Sequence, residues 1–241
     1  MQYHPGGLLL YLYGNSGQVE HLFDLFRKVF EAIAEQGVNA EERGYLSGIV
    51  RRVDEQYYTD EWAKCCLLLY KKELLQKPPL CLQRLFFRHP DKMKMFLEEN
   101  PSRSFDVEND YYLPEEAYQD KRAFDCWAEC LYEEFPEILG YIMGKSCNGK
   151  DGAFPHEFIR EFLEKQQNEK LTKAVFYGKF NSRGARIVQD GRTLYEQAKC
   201  YRAQARELRL KFPQSAKILL QLAKWMESEA QHDQLEAEIV P

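Results

Sequence analysis

Three glycines and four basic residues crowd the stretch YGKFNSRGARIVQDGRT, Tyr177 to Thr193: Gly178, Gly184 and Gly191, with Lys179, Arg183, Arg186 and Arg192. Exposed backbone amides and a few fixed cations are what a phosphate needs, so the stretch either cradles an anion or simply links two helices. Cations recur downstream. From Lys179 to Lys211 there are nine basic residues against three acids, in a chain whose formal net charge is −5. Arg192, Lys199, Arg202, Arg206 and Arg209 follow one another at 7, 3, 4 and 3, which places them on one helix face. With Asn181, Arg183 and Arg186 of the glycine loop, they are the candidate binding residues. Such a stripe grips phosphates or pairs with carboxylates. Carboxylates are abundant: Glu227, Glu229, Asp233, Glu236 and Glu238 lie near the carboxyl terminus, and Asp106 to Glu137 holds eleven acids against Lys121 and Arg122. The acidic balance of the whole chain favours pairing within the molecule or with a protein partner over dedicated nucleic-acid binding.

Other stretches approach chemical motifs and miss them. GYIMGKS, Gly140 to Ser146, has three residues where a phosphate loop needs four between its first glycine and G-K-S, and a helix leads into it; its glycines are expected to end a helix. PHEFIRE, Pro155 to Glu161, resembles half of a zinc-protease helix, but Arg160 stands where the second histidine belongs, and a cation does not ligate zinc. His4, His21, His89, His156 and His232 are scattered, with no serine or cysteine in a nucleophile motif beside them. Seven cysteines form no disulfide framework and fit reduced thiols; the closest metal-like pair, Cys126 and Cys130, has no histidine nearby, and Cys65 and Cys66 sit in the apolar run WAKCCLLLY as core residues. The chain therefore reads as non-enzymatic, with no cofactor and no metal.

The elements that must position these residues are helical. At 241 residues, 44% hydrophobic and 29% charged, the chain can build a packed core without metals or disulfides. Val19, Leu22, Phe23, Phe26, Val29, Phe30 and Ile33 form one face of a helix that stops at Gly37. A second helix runs over 40–54, and a third starts at the cap residue Thr59 and ends before KPP. Two short helices follow, the second opened by Pro90. PSRSFDVENDYYLPEEAYQD is then a long polar connection suited to a hinge, a domain boundary or a binding loop. Beyond it come a stripe ending at Pro136, the turn-rich SCNGKDG and a helix begun by Pro155. Leu194, Ala198, Tyr201, Ala205, Leu208 and Phe212 recur at 4 and 3, as do Leu219, Ala223, Met226 and Ala230 after Pro213, which predicts two closely packed antiparallel helices. AVFYGKF and ARIVQDG are the one candidate strand pair, the first of them equally able to end a helix.

The expected fold is all-α: an irregular array of about nine or ten helices, solenoid-like or in two lobes (1–100 and 113–241), ending in a long αα-hairpin, with no fixed repeat period. The apolar run from Leu8 is too short to span a membrane and lacks the basic flank of a signal peptide, so no membrane association or export is expected. A chain opening almost directly on such a run is also expected to be a piece or a partner of a larger assembly.

From about Leu80 onward, HPDKMKMFLEE, FPHEFIREFLE, FNSRGAR and YEQAKCYRAQARELRLKFPQSAKILLQLAKWMESEAQHD together resemble a helical carboxy-terminal module of large bacterial multidomain proteins. Asn181-Ser182-Arg183-Gly184 and the closing hairpin are its most specific elements; residues 1–79 lie outside it. The resemblance implies a bacterial, cytoplasmic protein belonging to a larger assembly. The expected role is a protein-interaction or scaffold module, with a protein partner or a second copy of the chain as ligand. Nucleic-acid or phosphate binding by the 179–211 stripe is the alternative.

Overall fold

The computed structural model describes residues 5–182 and 192–239, and among these it contains α-helices, short 3-10 turns and no strand. The chain divides into two compact units, Met1–Pro114 and Glu115–Pro241.

The first unit holds α1 (Pro5–Gly14), α2 (Val19–Gln36), α3 (Ala40–Asp54), α4 (Asp60–Lys71), α5 (Leu80–Arg88), α6 (Pro90–Glu99) and α7 (Ser104–Asp110). Their starts follow from local chemistry. Asn39 accepts from the Glu42 amide while the Glu42 carboxylate accepts from the Asn39 amide, a reciprocal cap on α3. Thr59 caps α4 through the Trp62 amide at 3.1 Å. Gly37 ends α2 at φ 76°, a backbone shape that L side chains rarely adopt. The core forms around the ring of Trp62, on which Phe26 and Phe30 pack at 5.9 and 5.6 Å between centroids. Fully burying one such ring stabilises the fold by about 1.5–3 kcal/mol. A second aromatic group joins Tyr70, Phe96, Phe86 and Tyr111. Arg103 closes it: its guanidinium lies 4.1 Å over the Tyr70 ring, donates to the carbonyls of Tyr70 and Leu75, and pairs with Asp106.

The second unit holds α8 (Lys121–Tyr132), α9 (Pro136–Gly144), α10 (Glu157–Gln166), α11 (Glu169–Asn181), α12 (Arg192–Leu208) and α13 (Pro213–Ile239). α9 packs along α11, skipping α10, while α12 packs along α13 and both α10 and α11 also touch α13. A solenoid would stack each helix on its sequence neighbours, and this unit does not. Among the described residues, no helix is long and apolar enough to cross a membrane.

Several expectations change. Among the described residues, thirteen α-helices replace nine or ten, because short segments that carry little periodicity, such as Pro5–Gly14 and Ser104–Asp110, are helical in context. The polar connection after Asn100 is no bare loop: it forms a 3-10 turn at Pro101–Arg103, α7, and a second turn at Glu115–Tyr118 before Asp120 caps α8. AVFYGKF belongs to α11, and ARIVQDG lies outside the described residues. Pro155 precedes α10 without starting it; His156 is the cap residue, its Nδ1 accepting from the Phe158 amide at 3.3 Å. Gly144 is the last residue of α9, as expected, but Gly140 does not end a helix. It sits inside α9, where a Cβ would press on the Leu171 carbonyl oxygen and the Ala174 methyl of α11; Gly144 and Gly178 likewise have no room for one. The glycines of GYIMGKS therefore let two helix backbones touch, a role with no phosphate in it.

Candidate functional site

The 4-and-3 seams of the last two helices meet. Leu194 and Ala198 of α12 pack with Ala223, Met226 and Ala230 of α13, and Tyr195, Tyr201 and Trp225 close the edges. The alanines keep the axes near, and the turn 209–212 joins the helices into an antiparallel hairpin. The rest of the unit fastens this hairpin. Gln204 of α12 donates to the Gly152 carbonyl and accepts from the Phe154 amide. Glu164 of α10 accepts from the amides of Gln214 and Ser215, capping the first turn of α13, where a carboxylate also meets the positive end of the helix dipole. The Phe180 ring of α11 stands edge-on to Trp225 of α13 at 4.4 Å.

On this frame the sequence-predicted residues fall in different settings. Arg202 forms a two-pronged pair with Glu227 across the hairpin, at 2.7 and 2.6 Å. That pairing raises the affinity of Arg202 for its proton and holds the Glu227 carboxyl below its ordinary range. Lys199 pairs with Glu196 of its own helix at 2.6 Å. Arg192 is exposed in the first turn of α12, and Arg206 and Arg209 are exposed at its other end. Asn181 is the exposed last residue of α11. Arg183 and Arg186 lie outside the described residues. The structure thus places Arg192, Lys199, Arg202 and Arg206 on α12 together, and pairs Arg202 with a carboxylate of α13 and Lys199 with one of its own helix. Beside Arg209, in the turn, Leu210 is 89% exposed, and Lys211 follows it, also exposed.

A second cluster was not expected from the sequence. Arg160, 2% exposed, makes a two-pronged bond to Asp151 at 2.7 and 2.8 Å, lies 3.9 Å from Glu157, and stacks 5.3 Å from the Phe212 ring. Its hydrogen bonds hold the Asp151 carboxyl below the usual carboxylate range. Glu157 is also lowered: burial pushes it up, but bonds from its own and the Lys150 amides and the nearby His156 and Arg160 outweigh that. His156 is buried between the rings of Tyr118 and Phe158, at 4.9 and 4.7 Å, with Nε2 3.4 Å from Glu157. Burial pushes its pKa down, against the pull of that carboxylate. Lys179, its amine 4.4 Å over the Phe154 ring, is lowered by burial as well. These groups are spent on one another. They fold the 146–156 loop into a clamp that Gln204 and Phe212 grip, and so fix the hairpin. The signal available was the charge alternation D-x-x-x-x-H-E-x-x-R, which is common on ordinary helix starts.

Among the described residues, one group of side chains could hold a metal: Asp54, Cys66 and Cys81 of the first unit. Cys126 and Cys130 of α8 are exposed and half-buried. Comparison of the chain with protein-family models, with curated proteins and with solved structures yields no match.

Proposed function

We propose that the α12–α13 hairpin is a non-catalytic docking element through which the chain, acting as a scaffold, holds a protein partner in a larger assembly. The observation that carries this is Leu210, 89% exposed in the turn and bracketed by Arg206, Arg209 and Lys211. An apolar anchor ringed by cations suits an apolar pocket with an acidic rim: burial of the anchor supplies affinity, and the ring supplies orientation and association rate. The clamp around Arg160 supports the same reading, because it fixes the hairpin from its turn end and thereby lowers the ordering loss on binding. The resemblance of this region to a module of large bacterial proteins fits a scaffold role in such an assembly.

Affinity capture from the native host, with and without nuclease, tests it against a matched Leu210→Asp/Arg209→Glu variant. The expected result is a defined protein that survives nuclease, is lost with the variant and weakens as salt rises. Equal capture by the variant overturns the assignment of this surface. Loss of all bound material on nuclease treatment transfers the basic stripe to nucleic acid, with affinity then falling steeply with salt and on Arg202→Glu/Arg206→Glu substitution.

A further inference from the structure

We propose that Asp54, Cys66 and Cys81 form a binding site for a thiophilic divalent cation, with zinc as the fitting occupant. One carboxylate oxygen and two sulfurs lie within 4.8 Å of one another, and all three residues are buried. Zinc bonds of about 2.0–2.3 Å to oxygen and sulfur require ligand separations of about 3.3–3.8 Å in a tetrahedron, so the three atoms need to close by only about 1 Å. Each ligand comes from a different helix: Asp54 ends α3, Cys66 lies within α4, and Cys81 is the second residue of α5. Three rigid supports converge on one point.

The surroundings are those of a ligand set. The Trp62 indole donates to one Asp54 oxygen at 2.8 Å and the Cys81 amide to the other at 3.2 Å. Both bonds orient the carboxylate and leave each oxygen a lone pair, the arrangement that outer contacts impose on metal-binding carboxylates. Asp54 also forms part of the wall of a cavity of about 510 Å³ in the first unit, shared with Val50, Leu75, Pro78, Pro79 and Leu80. That cavity reaches the set from its carboxylate side and is large enough to hold water there. Without an ion, burial pushes both thiols well above their ordinary pKa, so each carries its proton. Binding is then a balanced exchange: one dication enters, two thiols release two protons to solvent, and the net charge of the site stays at −1, with the amino-terminal end of α5 facing the negative set. Spacings of 12 and 15 residues between the ligands match no short cysteine motif, which is why the sequence gives no sign of the site.

The test uses the full chain carrying Cys126→Ser, Cys147→Ser and Cys200→Ser, which removes the exposed thiols. It is reduced, kept under inert gas and titrated with cobalt(II). The expected result is one cobalt per chain, a thiolate-to-cobalt charge-transfer band with tetrahedral visible absorption, release of two protons per ion, and displacement by one equivalent of zinc. Cys81→Ala and Asp54→Asn should each weaken binding by at least tenfold, whereas Cys65→Ala leaves it unchanged. X-ray absorption of the zinc-loaded chain, which needs no substituted ligand, should show two sulfur and two lighter neighbours. Absence of the charge-transfer band at cobalt excess in the folded chain, a band that titrates with unchanged affinity in folded Cys81→Ala, or any other sulfur count overturns the proposal.

Discussion

Arg160 carries its charge into the interior of the second unit and is kept there by carboxylates that reach in from the loop before α10. Replacing it with methionine keeps most of its volume but strands Asp151 and Glu157 without their cation. Asp151 is half exposed and can regain water, so the loss should be about 1–3 kcal/mol, the range for hydrogen bonds to charged groups, read from urea unfolding at neutral pH. The sign of its pH dependence follows from the lowered Asp151 pKa. A carboxyl whose folded value lies below its unfolded value stabilises the fold above the unfolded pKa, about 4, and loses that contribution as pH falls through the folded value. Wild-type stability should therefore drop below about pH 4, and the Arg160→Met variant should show a shallower drop over the same range. His156 gives a second readout. Burial lowers its pKa, so its ring-proton resonance should titrate below the ordinary histidine midpoint of about 6.5; titration at or above it would mean that the Glu157 contact dominates.

At the scale of elements, α9 and α11 depend on Gly140, Gly144 and Gly178 at their crossing. A Cβ on Gly178 would overlap the Tyr141 backbone, which cannot rotate away as a side chain could. Gly178→Ala should destabilise the second unit by about 1–3 kcal/mol. Gly44→Ala, in α3 and with nothing within 4 Å of the added methyl, should instead stabilise by about 0.4–1 kcal/mol through the unfolded state. The contrast, measured as urea midpoints of the two variants, separates helix crossing from helix propensity. Much of this level is legible in the chain: the cap residue Thr59, the helix-opening Pro90, and the 4-and-3 seams of the closing hairpin mark helices where helices stand. GYIMGKS was not legible in the same way. Glycine in a helix reports that something must come close, and the partner helix, α11, is set by packing some thirty residues away.

At the scale of the molecule, the chain divides at Pro114, with each unit holding its own aromatic core. Hydrogen exchange should therefore resolve the two. Gly178→Ala should lower protection across α8–α13 and leave α2–α5 unchanged; an equal fall in both would show that they open as one cooperative body.

Periodicity and capping by themselves determined an all-helical chain with a terminal hairpin and a cationic face on α12. These are local properties, written into spacings of three and four residues. Tertiary structure decided which cations meet carboxylates, as in Arg202 with Glu227 and Arg160 with Asp151, and which stay in water around Leu210. It also decided that Asp54, Cys66 and Cys81 come together. Such meetings depend on how three or four helices close over one another, and helix closure is governed by summed burial and shape, which no short stretch of sequence contains.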